Sequence, residues 1–124
     1  QGLYDLLPHI LFNDAIEIVY DPFVNEAINY IEENLERKIS IEHLCNKFHV
    51  SKNYLYEAFK ANLNNTVTGY INEVRIQRAK KLLEQTSLSV YQIAEKVGVE
   101  NYTYFCKLFK KLSETTPTEY RKNL

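Results

Sequence analysis

Two sets of side chains carry most of the recurring chemistry in this chain. Asn53, Tyr56, Glu57 and Lys60 are spaced i, i+3, i+4, i+7. Thr103, Cys106, Lys107 and Lys110 repeat that spacing 50 residues later, with Tyr102 beside them. If these stretches are helical, each set shares one face. Amide, phenol, carboxylate, hydroxyl, thiol and ammonium groups in that pattern can donate and accept hydrogen bonds over a broad polar surface. On a single helix such a stripe is by default a solvated face, so the recurrence is the informative part.

Other constellations fail on geometry or are missing. His43, Cys45 and His49 have metal-ligating side chains, but positions 43 and 45 of one helix diverge by about 200° and cannot share an ion. No metal site is expected. No Ser/His/Asp set, glycine-rich phosphate loop or paired carboxylate stands out, so neither an enzyme nor a bound cofactor is expected. The two cysteines form no disulfide framework and suit a reducing cytoplasm. No apolar run approaches the ~20 residues that span a bilayer, so no membrane partner is expected. With 124 residues the chain has room for one domain or two very small subdomains. It opens without an initiator Met, which suggests a piece of a longer protein. The net charge of -1 hides an asymmetry. Residues 1–50 hold three Lys/Arg against nine Asp/Glu, a net -6, and residues 51–124 hold twelve against seven, a net +5. A basic half of this kind suits a polyanion.

The elements that would position the two sets can be read in turn. Residues 1–20 are apolar and acidic, and Leu3, Leu6, Leu7, Ile10, Leu11, Ala15, Ile16 and Val19 suggest a helical turn or two in an upstream tail or linker. Asp21-Pro22 opens a helix with an N-cap and a proline at its first position. Val24, Ala27, Ile28, Ile31 and Leu35 carry that helix to about Glu36. Ser40 caps a helix over residues 41–48 that buries Ile41, Leu44, Cys45 and Phe48. Ser51 caps another over residues 52–62 that buries Leu55, Ala58 and Phe59. Two short helices joined by a tight turn make a helix-turn-helix unit.

The pattern then returns. Leu44, Phe48 and Val50 are matched 49 residues later by Ile93, Val97 and Val99, and Cys45 by Ala94. Leu55, Ala58 and Phe59 are matched 50 residues later by Phe105, Leu108 and Phe109, so the second copy has one extra residue in its turn. Between the copies lies Thr66 to Gln85. Its first apolar set, Val67, Tyr70, Ile71 and Val74, and its second, Ile76, Ala79, Leu82 and Leu83, point about 120° apart at helical spacing. A stripe that changes sides is that of a rod joining two small cores. The expected fold is all-α, with about seven helices in two helix-turn-helix subdomains joined by a long central helix. The divisions are a tail at 1–20, a first subdomain at 21–65, the joining helix at 66–86 and a second subdomain at 87–124.

At residues 75–121 the chain resembles the AraC/XylS family of transcription regulators. It holds the family's Arg-x-x-x-Ala-x-x-Leu-Leu (Arg75, Ala79, Leu82, Leu83) and Ile-Ala-x-x-Val-Gly (Ile93 to Gly98). Tyr-Phe-x-x-x-Phe-Lys-Lys (Tyr104 to Lys111) and Thr-Pro-x-x-Tyr-Arg (Thr116 to Arg121) follow. The resemblance covers about residues 22–124. It implies sequence-specific binding of double-stranded DNA, with two recognition helices in successive major-groove segments. By position, Asn53, Tyr56, Glu57, Tyr102, Thr103, Cys106 and Lys107 match base-reading residues. Asn53 would pair with adenine, Lys107 with guanine, and Glu57 would accept from cytosine. Cys106 is read as an exposed, groove-facing thiol. Ser51, Lys52, Lys60, Asn101, Lys110 and Lys111 match phosphate contacts, which position without reading sequence.

The resemblance further implies RNA polymerase as a partner, a cytoplasmic location, and an upstream region through which a homodimer can form. That region would be a sugar-type ligand barrel or a response regulator's receiver, and the acidic front half favours the receiver. The competing reading keeps the fold as a protein-interaction module with weak DNA binding, supported by Glu57 and the near-zero net charge. One departure carries a structural expectation. Glu114 stands where the family has glycine after the recognition helix, and a left-handed Glu costs roughly 1–2 kcal/mol. The second recognition helix is therefore expected to run past Glu114, whereas Asn64 at the equivalent place tolerates a left-handed cap.

Overall fold

Short polar side chains open the helices of this chain, and left-handed residues close several of them. The computed structural model describes residues 9–12, 16–19 and 21–124. Among the described residues there are seven helices: α1 (Pro22–Glu33), α2 (Ile41–Phe48), α3 (Lys52–Leu63), α4 (Val67–Gln85), α5 (Val90–Lys96), α6 (Tyr102–Ser113) and α7 (Pro117–Lys122). Ser40, Ser51, Ser89, Asn101 and Thr116 each accept from the backbone N–H three residues on, at 2.8–3.1 Å. Such caps satisfy donors that the first helical turn leaves unpaired. Asp21 accepts from the Phe23 N–H, and Pro22 starts α1.

Two expectations at the front of the chain are corrected. The described part of residues 1–20 is extended: β1 (His9–Phe12) pairs antiparallel with β2 (Ile16–Val19), in the register His9 with Val19 and Phe12 with Ile16. Ile10, Ile16, Ile18 and Val19 are β-branched, and in a short segment that preference for extended backbone outweighs an irregular helical spacing. The rest of the expected helical tail lies outside the described residues. Helix α1 also stops at Glu33 instead of near Glu36. The carbonyls of Leu35 and Arg37 accept from the Arg75 guanidinium at 3.3 and 3.0 Å, which holds this exit as a loop.

The chain divides into two units, one of Gln1–Glu33 with Ile39–Tyr70, the other of Asn34–Lys38 with Ile71–Leu124. The boundary falls inside α4, between Tyr70 and Ile71.

In the first unit the buried residues are Val24, Ala27 and Ile31 of α1, Leu44 of α2, Leu55 and Phe59 of α3, and Val67. Ile41, Cys45, Phe48 and Ala58, expected in the core, are only half-buried. Phe48 instead meets Phe23 edge-on at 5.6 Å, and Phe59 meets Tyr70 edge-on at 5.9 Å.

The second unit has its own core. Ile76, Ala79 and Leu83 of α4 pack with Ile93, Ala94, Val97 and Val99, and with Phe105, Leu108 and Phe109 of α6. Tyr120 closes it edge-on against Phe109 at 5.7 Å, as Tyr70 does against Phe59 at a position 50 residues earlier. Removing a ring such as Phe109 from this core costs about 3–5 kcal/mol.

The ends of the helices correct a further expectation. Asn64 is left-handed at φ 52°, as its side chain allows, but Glu114 is left-handed too, at φ 63° and ψ 12°. Helix α6 therefore ends at Ser113, and the Glu114 N–H bonds the Lys110 carbonyl at 2.7 Å. The half-buried Thr115 and Thr116 and the buried Pro117 follow at once. Continuing α6 would pull Pro117 out of its buried place, and the proline itself disfavours α-helical backbone at Thr116. Among the described residues no helix is long and apolar enough to cross a membrane.

Candidate nucleic-acid interface

The turns of the two helix-turn-helix copies are built alike. After α2, His49 takes left-handed backbone at φ 56°, and after α5 Gly98 does so at φ 86°, 49 residues on. Val50 and Val99 follow, each N–H bonding a carbonyl in the preceding helix, from Cys45 and Ala94 at 3.1 and 3.0 Å. Glu100 is then the extra residue of the second turn, before Asn101 caps α6. Gly98 is required by contact as well as by φ: a Cβ there would lie 1.9 Å from the Leu35 carbonyl oxygen.

These turns aim α3 and α6. On α3, Asn53, Tyr56, Glu57 and Lys60 are all exposed, opposite the buried Leu55 and Phe59. On α6, Tyr102, Thr103, Lys107, Lys110 and Lys111 are exposed, opposite Phe105, Leu108 and Phe109. Cys106 differs from its expected exposure: it is half-buried and packs against the second core. A side-chain hydrogen bond with Cys106 raises the Tyr102 phenol above its ordinary value of 10.0.

The expected phosphate contacts are in varied states. The Ser51 and Asn101 side chains are occupied as caps, which leaves backbone N–H groups of the first turns of α3 and α6 for an anion. Lys52 Nζ lies 3.4 Å from a carboxylate oxygen of Glu42, an exposed pair that contributes little stability. Lys60 and Tyr56 line an open groove of about 520 Å³ with Asn64, Thr66 and Val67. Lys60, Lys110 and Lys111 are exposed. His43, set aside above as a metal ligand, has its Nε2 2.7 Å from the Tyr30 hydroxyl.

Several residues with a part in this surface escaped the sequence reading. Arg75 and Arg121 were visible in motifs but without roles. Arg121 donates to the Leu83, Thr86 and Leu88 carbonyls at 3.2, 3.2 and 2.6 Å, fixing the loop that leads into α5. Arg75 does the same for residues 35–37, and burial lowers its guanidinium pKa. Each arginine thus fixes the loop ahead of a scaffold helix, α2 or α5. Tyr91 and Glu42 were also missed. Tyr91 is 57% exposed, with its ring 5.7 Å from that of Tyr102.

The charge asymmetry follows the two units. The first holds three Lys/Arg against nine Asp/Glu, a net -6, and the second twelve against seven, a net +5.

Comparison with known proteins bears on what this surface meets. A family profile described as a helix-turn-helix domain matches residues 44–123. An uncharacterized response regulatory protein of Staphylococcus epidermidis is 34% identical over 119 residues, 95% of this chain and 47% of its own length. The chain thus spans about half the length of that relative. The solved C-terminal domain of AraT, a response regulator from Geobacillus stearothermophilus, superposes with a TM-score of 0.81 at 30% identity, covering 84% of this chain and 87% of that one. A transcriptional regulator of Chromobacterium violaceum, described as containing an AraC-type DNA-binding domain, gives 0.77 at 31% identity over 82% and 91% of the two chains.

Proposed function

The chain belongs to the AraC/XylS family of DNA-binding transcription regulators, and from that membership we propose that α3 and α6 read two successive major-groove segments of one DNA site. An α-helix fits the major groove, and its outward residues near the N-terminus reach base edges. Groove segments on one DNA face recur each helical turn, ~34 Å. The observation that carries the reading is the duplicated exposed face: equivalent polar positions on α3 and α6, each behind the same left-handed turn.

In this reading Asn53, Tyr56, Glu57, Tyr102, Thr103 and Lys107 face bases, with Cys106 acting through Tyr102. Lys52, Lys60, Lys110, Lys111 and the helix starts at Ser51 and Asn101 face phosphate. The +5 second unit supplies most of the long-range attraction. The chain is the non-enzymatic, C-terminal DNA-binding part of a cytoplasmic response regulator. A receiver domain upstream, through which the whole protein would dimerise, controls it, and RNA polymerase is its downstream partner. The support is the likeness to two response regulators, one of which this chain matches over about half its length.

The test is selection of binding sites from random DNA with this chain, then anisotropy titration at low and moderate salt. Binding should weaken steeply with salt as released counterions are replaced. Lys107→Ala should relax preference at one base pair, whereas Lys110→Ala should weaken all sequences alike and reduce the salt slope by about 1. Selection of no sequence, with no salt-sensitive binding, would refute the DNA reading and favour the interaction module.

A further inference from the structure

The two helix-turn-helix copies hold the first residue of their recognition helices in chemically different ways. In the first unit Lys52 opens α3 and is paired with Glu42, the second residue of α2. In the second unit Tyr102 opens α6, and its ring meets that of Tyr91, the second residue of α5, at 5.7 Å. Glu42 and Tyr91 are 49 residues apart, and Lys52 and Tyr102 are 50 apart, the same offsets that relate the two copies elsewhere. One structural position is therefore an ion pair in one copy and a tyrosine pair in the other.

We propose that Tyr91 is a DNA-backbone contact of the second unit, and that the two pairs are alternative clamps on phosphate, one uncharged and one ionic. The proposal rests on the DNA reading given above. Tyr91 is more exposed than any other tyrosine among the described residues, at 57%, and its position is set by the ring it leans on. The phenol of Tyr91 can donate to a phosphate oxygen as a neutral group, and a neutral donor releases no counterion. Lys52 presents the opposite case. Its ammonium is shared with Glu42, so a phosphate must compete with that carboxylate, and the contact formed is ionic. The first unit's clamp is therefore weakened by Glu42 and sensitive to salt, and the second unit's clamp is insensitive to salt.

The experiment is anisotropy titration of the whole chain on its selected DNA site between about 50 and 200 mM salt, the range over which phosphate contacts dominate. Melting curves of each variant accompany it. Tyr91→Phe keeps the ring on Tyr102 and removes only the hydroxyl. It should weaken binding about tenfold, the scale of one hydrogen bond to a charged group, with the slope of log K against log salt unchanged. Glu42→Gln should tighten binding at low salt and steepen that slope by up to ~0.9, the share of one phosphate contact. Adding Lys52→Ala to it should reverse both effects. Wild-type affinity in Tyr91→Phe overturns the proposal, as does a slope change in that variant equal to that of Lys110→Ala. A Glu42→Gln variant whose slope does not move also overturns it. Wild-type chain that binds no DNA in a salt-dependent way refutes the DNA reading itself, a result distinct from these.

Discussion

Glu114→Gly isolates the strain at the end of the second recognition helix. Glu114 sits at φ 63° and ψ 12°, its N–H closing α6 on the Lys110 carbonyl. A residue with a Cβ pays roughly 1–2 kcal/mol in this region, and glycine pays none there. The carboxylate also faces the negative end of the α6 dipole, an unfavourable contact of about 0.3–1 kcal/mol. Against these gains, glycine loses roughly 0.5–1 kcal/mol more chain entropy on folding. The balance is a stabilisation of about 1 kcal/mol, or roughly 3–5 °C in Tm for a chain of this size. Urea and thermal unfolding of four proteins separate the causes: wild type, Glu114→Gly, Glu114→Asn and Glu114→Gln. Gln removes only the charge and should recover only the smaller part. Asn, which occupies the equivalent left-handed place at residue 64, should fall between Gln and Gly. If Glu114→Gly is no more stable than Glu114→Gln, the left-handed backbone carries no strain and the reasoning fails.

Three further outcomes are expected. Gly98→Ala drives a Cβ to 1.9 Å from the Leu35 carbonyl oxygen at a positive φ, and should destabilise the second unit by about 3 kcal/mol or more; a wild-type Tm would contradict this. Gln77→Pro, in mid-α4, removes a helical hydrogen bond and should cost ~3 kcal/mol or more. It should abolish binding to the two-segment DNA site, and unchanged affinity would show that the joining helix α4 need not be continuous for two-segment binding. The Glu119 carboxyl is held below its ordinary value of 4.5 by the Thr116 backbone N–H, and further by the Thr116 side chain. A depressed carboxylate adds stability above its unfolded pKa and loses it as pH falls through the folded value. Glu119→Ala should therefore be less stable at neutral pH and lose less stability than wild type between about pH 5 and 3, as read from urea midpoints. Parallel curves for the two proteins would exclude the cap as the source of that dependence.

Much of the candidate interface was legible in the chain because it rests on local physics. Ser40, Ser51, Ser89, Asn101 and Thr116 cap within three residues of themselves, so the helix starts needed no tertiary knowledge. The outward faces of α3 and α6 followed from the buried faces, since one helix cannot bury both. The repeat added a second, independent copy of each inference. The misreadings share the opposite character. Residues 9–12 and 16–19 pair as antiparallel strands, and cross-strand pairing is not a property of either segment alone. The exit of α1 loosens at residue 34 because Arg75, 40 positions from Leu35, takes its carbonyl.

Sequence alone thus determined the helices, the duplication, the family and the two outward polar faces of α3 and α6, because periodicity and capping act over a few residues. Tertiary structure decided what happens where distant residues compete for one place. Glu114 accepts left-handed backbone because Pro117 must be buried directly after it. Cys106 turns partly inward because it packs against the second core. Lys52 is drawn to Glu42 and Tyr102 to Tyr91 only once each turn has folded its two helices together. These last two contacts join residues ten and eleven positions apart, and no helical or strand period encodes them.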